Sequence, residues 1–145
     1  MKDPGYAIRN AHYQALNGVI LHKGVPVPVY DGNAPKDAPA QYVILGAQTL
    51  NQNGDKQTFI TYCTIIVIVV TQFDIADPGN TKFADDIANQ ITQIVNPDPV
   101  TQLPLGPDFE MMVTNVEGSN SARYNDDRYR YVEKAIRFRH IVQEL

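Results

Sequence analysis

The chain has a single cysteine, Cys63, and no tryptophan. One cysteine excludes an internal disulfide and a metal site built only from thiolates, and its place in an apolar stretch predicts a small core residue. Long hydrophobic runs are also missing. The unbroken apolar run Ile65–Val70 is far shorter than the roughly 20 residues that a membrane-spanning helix needs. The first twelve residues contain no apolar signal region, so the sequence does not indicate secretion.

Catalytic signatures are scarce as well. His12, His22 and His140 lie in three different predicted elements, and no HExxH-like spacing connects them. Asp85 and Asp86 are adjacent on a predicted helix, where successive side chains diverge by about 100° and cannot form an acid–base pair. Phosphate loops, dinucleotide fingerprints and nucleophile elbows are absent from the sequence. We therefore predict no catalytic residue, no cofactor and no metal ion.

Positive and negative charges are unevenly distributed along the chain. The chain carries a net charge of −4. Residues 1–120 hold 6 Lys/Arg and 12 Asp/Glu, a net of −6, whereas residues 121–145 hold 6 and 4, a net of +2. Two interpretations stay open: an acidic body and a basic tail that steer head-to-tail contact between identical subunits, or a solvated strand edge.

The basic segment also interleaves arginine with tyrosine, a pattern that suits single-stranded nucleic acid. The residues concerned are Arg123, Tyr124, Arg128, Tyr129, Arg130, Tyr131, Arg137 and Arg139. Arginine and tyrosine are equally favoured in the cores of protein interfaces. Because the whole chain is acidic, we favour packing against a neighbouring subunit over nucleic-acid binding.

The stretch Thr58–Phe73 dominates what the sequence does contain. It has no Gly, Pro or charge, and its odd and even positions are both apolar through the middle. This pattern predicts a central β-strand that other protein covers on both faces, so Ile68→Asp is expected to prevent folding. Sixteen residues in an extended strand reach roughly 50 Å. A compact chain of this size is only about 35–40 Å across. We expect a projecting strand with backbone groups for another subunit to pair.

The remaining pattern predicts an α+β fold in one domain, residues 1–145, with a mainly antiparallel sheet whose long central and C-terminal strands pack against one or two helices. The predicted helices are Pro4–Asn17 and Thr81–Val95, and the predicted strands are Val19–His22, Val25–Tyr30, Gln41–Thr49, Phe109–Glu117 and Arg128–Gln143. Polar connections are predicted at Asn51–Asp55 and Gly118–Asp127. The proline-rich arm Asn96–Asp108 presents Leu103 and Leu105 as exposed candidates for contact with a partner.

This order of elements resembles the tail terminator and tail-completion proteins of tailed bacteriophages, the group that includes the lambda minor tail protein U. The resemblance rests on Val29-Tyr30-Asp31 with the proline-rich loop to Pro39, and on Gln41–Gly46. It continues in the apolar strand, the helix FADDIANQITQIV and the closing strand Ala135–Arg139. It covers most of the chain and is one of pattern, without an invariant motif.

The resemblance implies a structural virion protein that forms a ring, commonly of six subunits, at the head-proximal end of the tail. Such a ring stops growth of the tail tube and docks onto a neck or head-completion protein, and DNA passes through its channel without specific binding. Two alternatives stay open: a different neck or head-completion protein on a similar scaffold, and a small enzyme or ligand-binding domain. Arg137 and Arg139 share one face of the last predicted strand, and we expect them to pair with Asp85 or Asp86 of the adjacent subunit.

Overall fold

A computed structural model of the chain describes residues 1–54 and 57–145. The elements in chain order are α1 (Gly5–Leu16), β1 (Leu21–His22), β2 (Val25–Pro26), β3 (Val29–Asp31), β4 (Gln41–Gln52), β5 (Ile60–Asp74), α2 (Lys82–Val95), β6 (Phe109–Asn125) and β7 (Tyr129–Glu144). Asp55, part of the predicted turn into the central strand, lies outside the described residues. No helix in the described part of the chain is long and apolar enough to cross a membrane.

The main sheet has five strands in the order β3-β4-β5-β7-β6. Every pair is antiparallel except β3 with β4, which run parallel. β1 and β2 form a separate small hairpin. The predicted α+β class with a mainly antiparallel sheet and long strands is confirmed, and β5 lies at the centre of the sheet as expected.

Both helices cover the same side of the sheet. α2 packs on β5 and β7, and α1 packs on β3, β4 and α2. The core-facing residues of β5 are therefore its odd positions, such as Cys63, Ile65 and Val67, each fully buried. Among the apolar even positions, Ile60, Tyr62, Ile66 and Ile68 are half-buried, whereas Val70 is buried. The expectation that protein covers both faces of the central strand is confirmed for the helix side. In residues 1–54 and 57–145 no helix lies on the second side, so the cover expected there stays a prediction that requires another subunit.

Several predicted boundaries also differ from the structure. β1 begins two residues after Val19, and β4 continues three residues beyond Thr49. The predicted strand Val25–Tyr30 is divided into β2 and β3, because prolines at 26 and 28 lack the N–H that a continuous ladder needs. The predicted polar loop Gly118–Asp127 is mostly strand, because residues 118–125 continue β6 alongside β7. Cross-strand hydrogen bonding to a long partner thus overrides the weak strand propensity of these polar residues.

The arm between α2 and β6 is also placed differently from the prediction. Leu103 and Leu105 are each only 9% exposed and belong to the hydrophobic core. The expectation that they are exposed is wrong, because the arm lies against the helix side of the sheet and turns these two side chains inward. The surface-exposed apolar residue of this arm is Val100, at 85%.

Candidate interaction surface

The side of the sheet away from the helices, which we call the open face, carries an apolar band. Ile44 of β4 pairs with Ile68 of β5, which in turn pairs with Ala135 of β7. Ile66 extends the band along β5, and all four side chains are half-buried. Gly46 adds to its flatness, because a Cβ there would lie 3.2 Å from the Ile68 side chain. Flat, half-buried apolar surface of this kind is typical of a protein contact site.

Tyrosines surround one end of the band. The rings of Tyr30 and Tyr42 meet edge to face with centroids 6.0 Å apart, and those of Tyr124 and Tyr131 stack at 4.8 Å. The Tyr124 hydroxyl donates a 2.7 Å hydrogen bond to Glu133. Burial, followed by this carboxylate, raises the pKa of Tyr124 above its ordinary value, so the phenol stays protonated. Tyrosine side chains supply a large, rigid contact area and are enriched in the cores of protein interfaces.

Arginines lie beside the band on β7. Arg137 and Arg139 pair with Ile66 and Thr64 of β5 and are both exposed. The Arg139 guanidinium lies 5.5 Å from the ring centre of Tyr62. Within residues 1–54 and 57–145, neither arginine forms an ion pair. The open face therefore presents two unpaired positive charges next to apolar surface.

The predicted partners of these arginines lie on the opposite side of the subunit. Asp85 and Asp86 are exposed on α2, and Asp85 already forms a 2.9 Å ion pair with Lys134. Lys134 is the neighbour of Glu133 on β7 but points to the helix side, because adjacent strand residues face opposite ways. The structure thus brings Arg137 and Arg139 together and separates them from the two aspartates within one subunit. A pairing between these groups requires two subunits.

The basic residues of the C-terminal segment do not form one stripe. Arg123 pairs with the core-facing position Val132, so it points to the helix side, opposite to Arg137 and Arg139. Arg130 bonds the Ile75 carbonyl through its Nε at 3.0 Å. The arginines are thus divided between the two sides of the sheet, which does not favour the continuous basic track of a nucleic-acid groove.

A buried histidine pair is the feature that sequence spacing missed. His12 Nε2 lies 2.9 Å from His140 Nε2, and His140 Nδ1 lies 2.9 Å from the Thr114 hydroxyl. The same hydroxyl is 2.6 Å from Gln102 Oε1. Burial lowers the pKa of His12 to about 3, helped by the charges of His140 and Arg9, and burial alone lowers that of His140 to about 4. The periodicity of α1 placed His12 on or beside the apolar stripe, but its partner is 128 residues away.

Neither this pair nor the cysteine forms a metal site. Burial raises the pKa of the Cys63 thiol to about 12, so the residue remains a protonated, inert core side chain. Among the described residues no group of three His, Cys, Asp or Glu side chains could hold a metal ion. A groove of about 660 Å³ lies between the arm and the start of β6, lined by residues that include Val100 and Met112. Among the described residues that line this groove, Glu110 is the one with an acidic or basic side chain.

Comparisons with known proteins give a fold match. No known family profile matches the chain, and no curated protein matches it. A chain from a solved structure described as "Virion of native gene transfer agent (GTA) particle" is similar to it with a TM-score of 0.71 and 20% sequence identity. The similarity covers 100% of both chains. The two chains therefore share one fold over their whole length.

Proposed function

We propose that the protein is a structural virion subunit of a tailed bacteriophage or a related particle. In this proposal it forms a homo-oligomeric ring, of six subunits by resemblance, at the head–tail junction. The ring caps the tail tube and joins it to a neck or head-completion protein. The observation that carries the proposal is the match over the full length of both chains to a chain of a gene transfer agent virion.

The geometry of the subunit supports a ring. The open face and the helix side present different chemistry on opposite sides of the sheet. When two such different surfaces meet, the resulting pair of subunits still has one free surface of each kind, so the contact is heterologous and leads to a closed ring or a filament. The acidic body suits a channel for DNA, because negative charge disfavours binding to phosphates.

A purified sample tests the ring directly. We expect mass photometry to give one dominant species at an integral multiple of the 16.2 kDa subunit mass, and electron microscopy to show a closed ring with a central channel. A protein that stays monomeric at micromolar concentration, and also in the presence of tail tubes, would overturn the proposal.

The position in the particle separates the two virion roles. Particles assembled without the protein should contain tails of irregular length that are not joined to heads if it is a terminator. Tails of normal length that fail to join heads would instead support the alternative, a different neck or head-completion protein. Normal, infectious particles in its absence would contradict both roles.

A further inference from the structure

The β1–β2 hairpin exposes apolar surface on the helix side of the subunit. Its branched side chains Leu21 and Val25 are 46% and 64% exposed, and Val19, two residues before β1, is 52% exposed. The turn between the strands is Lys23-Gly24, with φ values of +50° and +77°. Two successive positive φ values form the tight turn that matches strand twist, so the hairpin is a compact knob.

Side chains of α2 hold this knob in place. The Gln90 amide donates to the Leu21 carbonyl at 2.8 Å and its oxygen accepts from the Leu21 N–H at 3.0 Å. The His22 ring packs edge-on against Phe83 with centroids 4.5 Å apart, and the Lys23 ammonium lies 4.5 Å from the same ring. The hairpin therefore forms an outer layer on α2, with its backbone anchored at Leu21 and its apolar side chains exposed.

We propose that the β1–β2 hairpin of one subunit docks on the open face of the next copy of this chain. The inference deepens the proposed ring and rests on it. The apolar side chains of the hairpin match the band of Ile44, Ile66 and Ile68 in chemistry. The surface beside the hairpin carries both signs of charge: Lys23 lies over the Phe83 ring, and Asp85 and Asp86 of α2 are exposed. These two aspartates are the groups that complement Arg137, which lies next to Ile66 on the open face.

The size of the open face suits such a contact. The whole open face, four strands about 4.8 Å apart with β5 15 residues long, covers roughly 950 Å² in plan. The apolar band is the central part of this area, so a contact of standard size also needs the surface of α2 beside the hairpin. A standard protein interface buries about 800 Å² on each partner. The knob and the band lie on opposite sides of one subunit, so the contact joins unlike surfaces and repeats head to tail.

Engineered cysteines test this contact, because the native Cys63 is buried and inert. The full-length double variant Leu21→Cys/Ile68→Cys is oxidised mildly and run on a non-reducing gel. We expect a reducible ladder of cross-linked subunits that ends at the ring size. Each single variant should stay uncross-linked. The matched control pair Val100→Cys/Ile68→Cys, which also combines one exposed position with the band, should not form a ladder.

The other outcomes separate the docking from the ring and from the virion role. Rings that form normally without cross-linking the Leu21 pair would overturn the docking and leave the ring intact. Dimers formed by Ile68→Cys alone would overturn it in favour of two open faces in symmetric contact. If the Leu21/Ile68 variant gives a full ladder but particles assemble normally without the protein, the docking is supported and the virion role is overturned.

A second set of variants measures how much the hairpin contributes. Leu21→Ser/Val25→Ser should raise the protein concentration needed for half-maximal ring formation by at least tenfold, with circular dichroism unchanged. The control Val100→Ser removes a similar exposed side chain from the arm and should leave that concentration unchanged. An unchanged value for the hairpin variant would overturn the proposal.

Discussion

Proton positions in the buried histidine pair follow from its neighbours. The Thr114 hydroxyl has one proton, and if it donates to Gln102 it must accept from Nδ1–H of His140. His140 Nε2 then accepts the proton of His12 Nε2–H. His12 Nδ1, which has no partner in the described structure, is left as a bare acceptor. This arrangement avoids an unpaired N–H, the costlier defect in a protein interior, and keeps both rings neutral.

This neutrality makes folding sensitive to acid. Both pKa values fall below the unfolded value of 6.5, to about 3 and about 4. At pH values between the folded and unfolded pKa values, the unfolded chain binds more protons than the folded protein. The free energy of unfolding therefore decreases as the pH is lowered through 6.5. We expect a loss of about 3–4 kcal/mol between pH 7 and pH 5 for the two rings together, measured by urea unfolding at each pH.

Two variants identify the source of this pH dependence. His12→Leu/His140→Leu removes both buried rings and should abolish most of the slope between pH 7 and pH 5, whatever its stability at pH 7. His22→Gln removes the third histidine, which contacts Phe83 near the surface, and should keep the steep slope. A wild-type free energy of unfolding that does not change over this range would refute the assignment.

At the scale of the element, β5 has one core side and one open side. Val67 is fully buried, whereas its neighbour Ile68 is half-buried on the open face. The sequence-based expectation that Ile68→Asp prevents folding is therefore not supported by this geometry. We expect Val67→Asp to lower the free energy of unfolding by about 3–5 kcal/mol, the cost of an uncompensated buried charge, which is a large part of a total stability of about 5–15 kcal/mol.

Ile68→Asp provides the matched comparison. Its carboxylate reaches solvent across the open face, so the variant should fold with circular dichroism and a melting temperature close to those of the wild type. It should nevertheless fail to form rings, because the charge lies in the proposed contact. If Ile68→Asp loses as much stability as Val67→Asp does, the open face is part of the folding core even in a single subunit.

Local periodicity predicted most elements well, and it failed where partners are distant in sequence. The stripe of α2 and the alternation of β7 gave those elements within one residue at each end. The second half of β6 is polar and became strand only because β7 extends beside it. The burial of Leu103 and Leu105 depends on how the arm folds back, and the pairing of His12 with His140 depends on the whole sheet. Such long-range contacts leave no periodic signal in the chain.

At the scale of the whole molecule, the open face carries two arginines that form no ion pair among the described residues, and the helix side carries two exposed aspartates, of which Asp85 pairs with Lys134. Arg137 and Arg139 lie on the open face, and Asp85 and Asp86 lie on α2 behind the sheet. Charge pairs at an interface guide orientation and association more than they add affinity. Salt screens exposed charges over about 8 Å at physiological ionic strength. Ring assembly should therefore weaken as salt rises, even if apolar contact holds the finished ring.

Charge reversal tests this arrangement. Arg137→Glu/Arg139→Glu should give folded subunits that sediment as monomers and cannot complete tails, because in the proposed contact each glutamate would face the aspartates of the next subunit. The control Arg123→Glu/Arg128→Glu makes the same change of net charge at exposed residues outside the open face and should still form rings. Sedimentation of each protein at increasing salt, with circular dichroism for folding, distinguishes them. If the Arg137/Arg139 variant forms rings with the salt dependence of the wild type, the two arginines do not contribute to the interface.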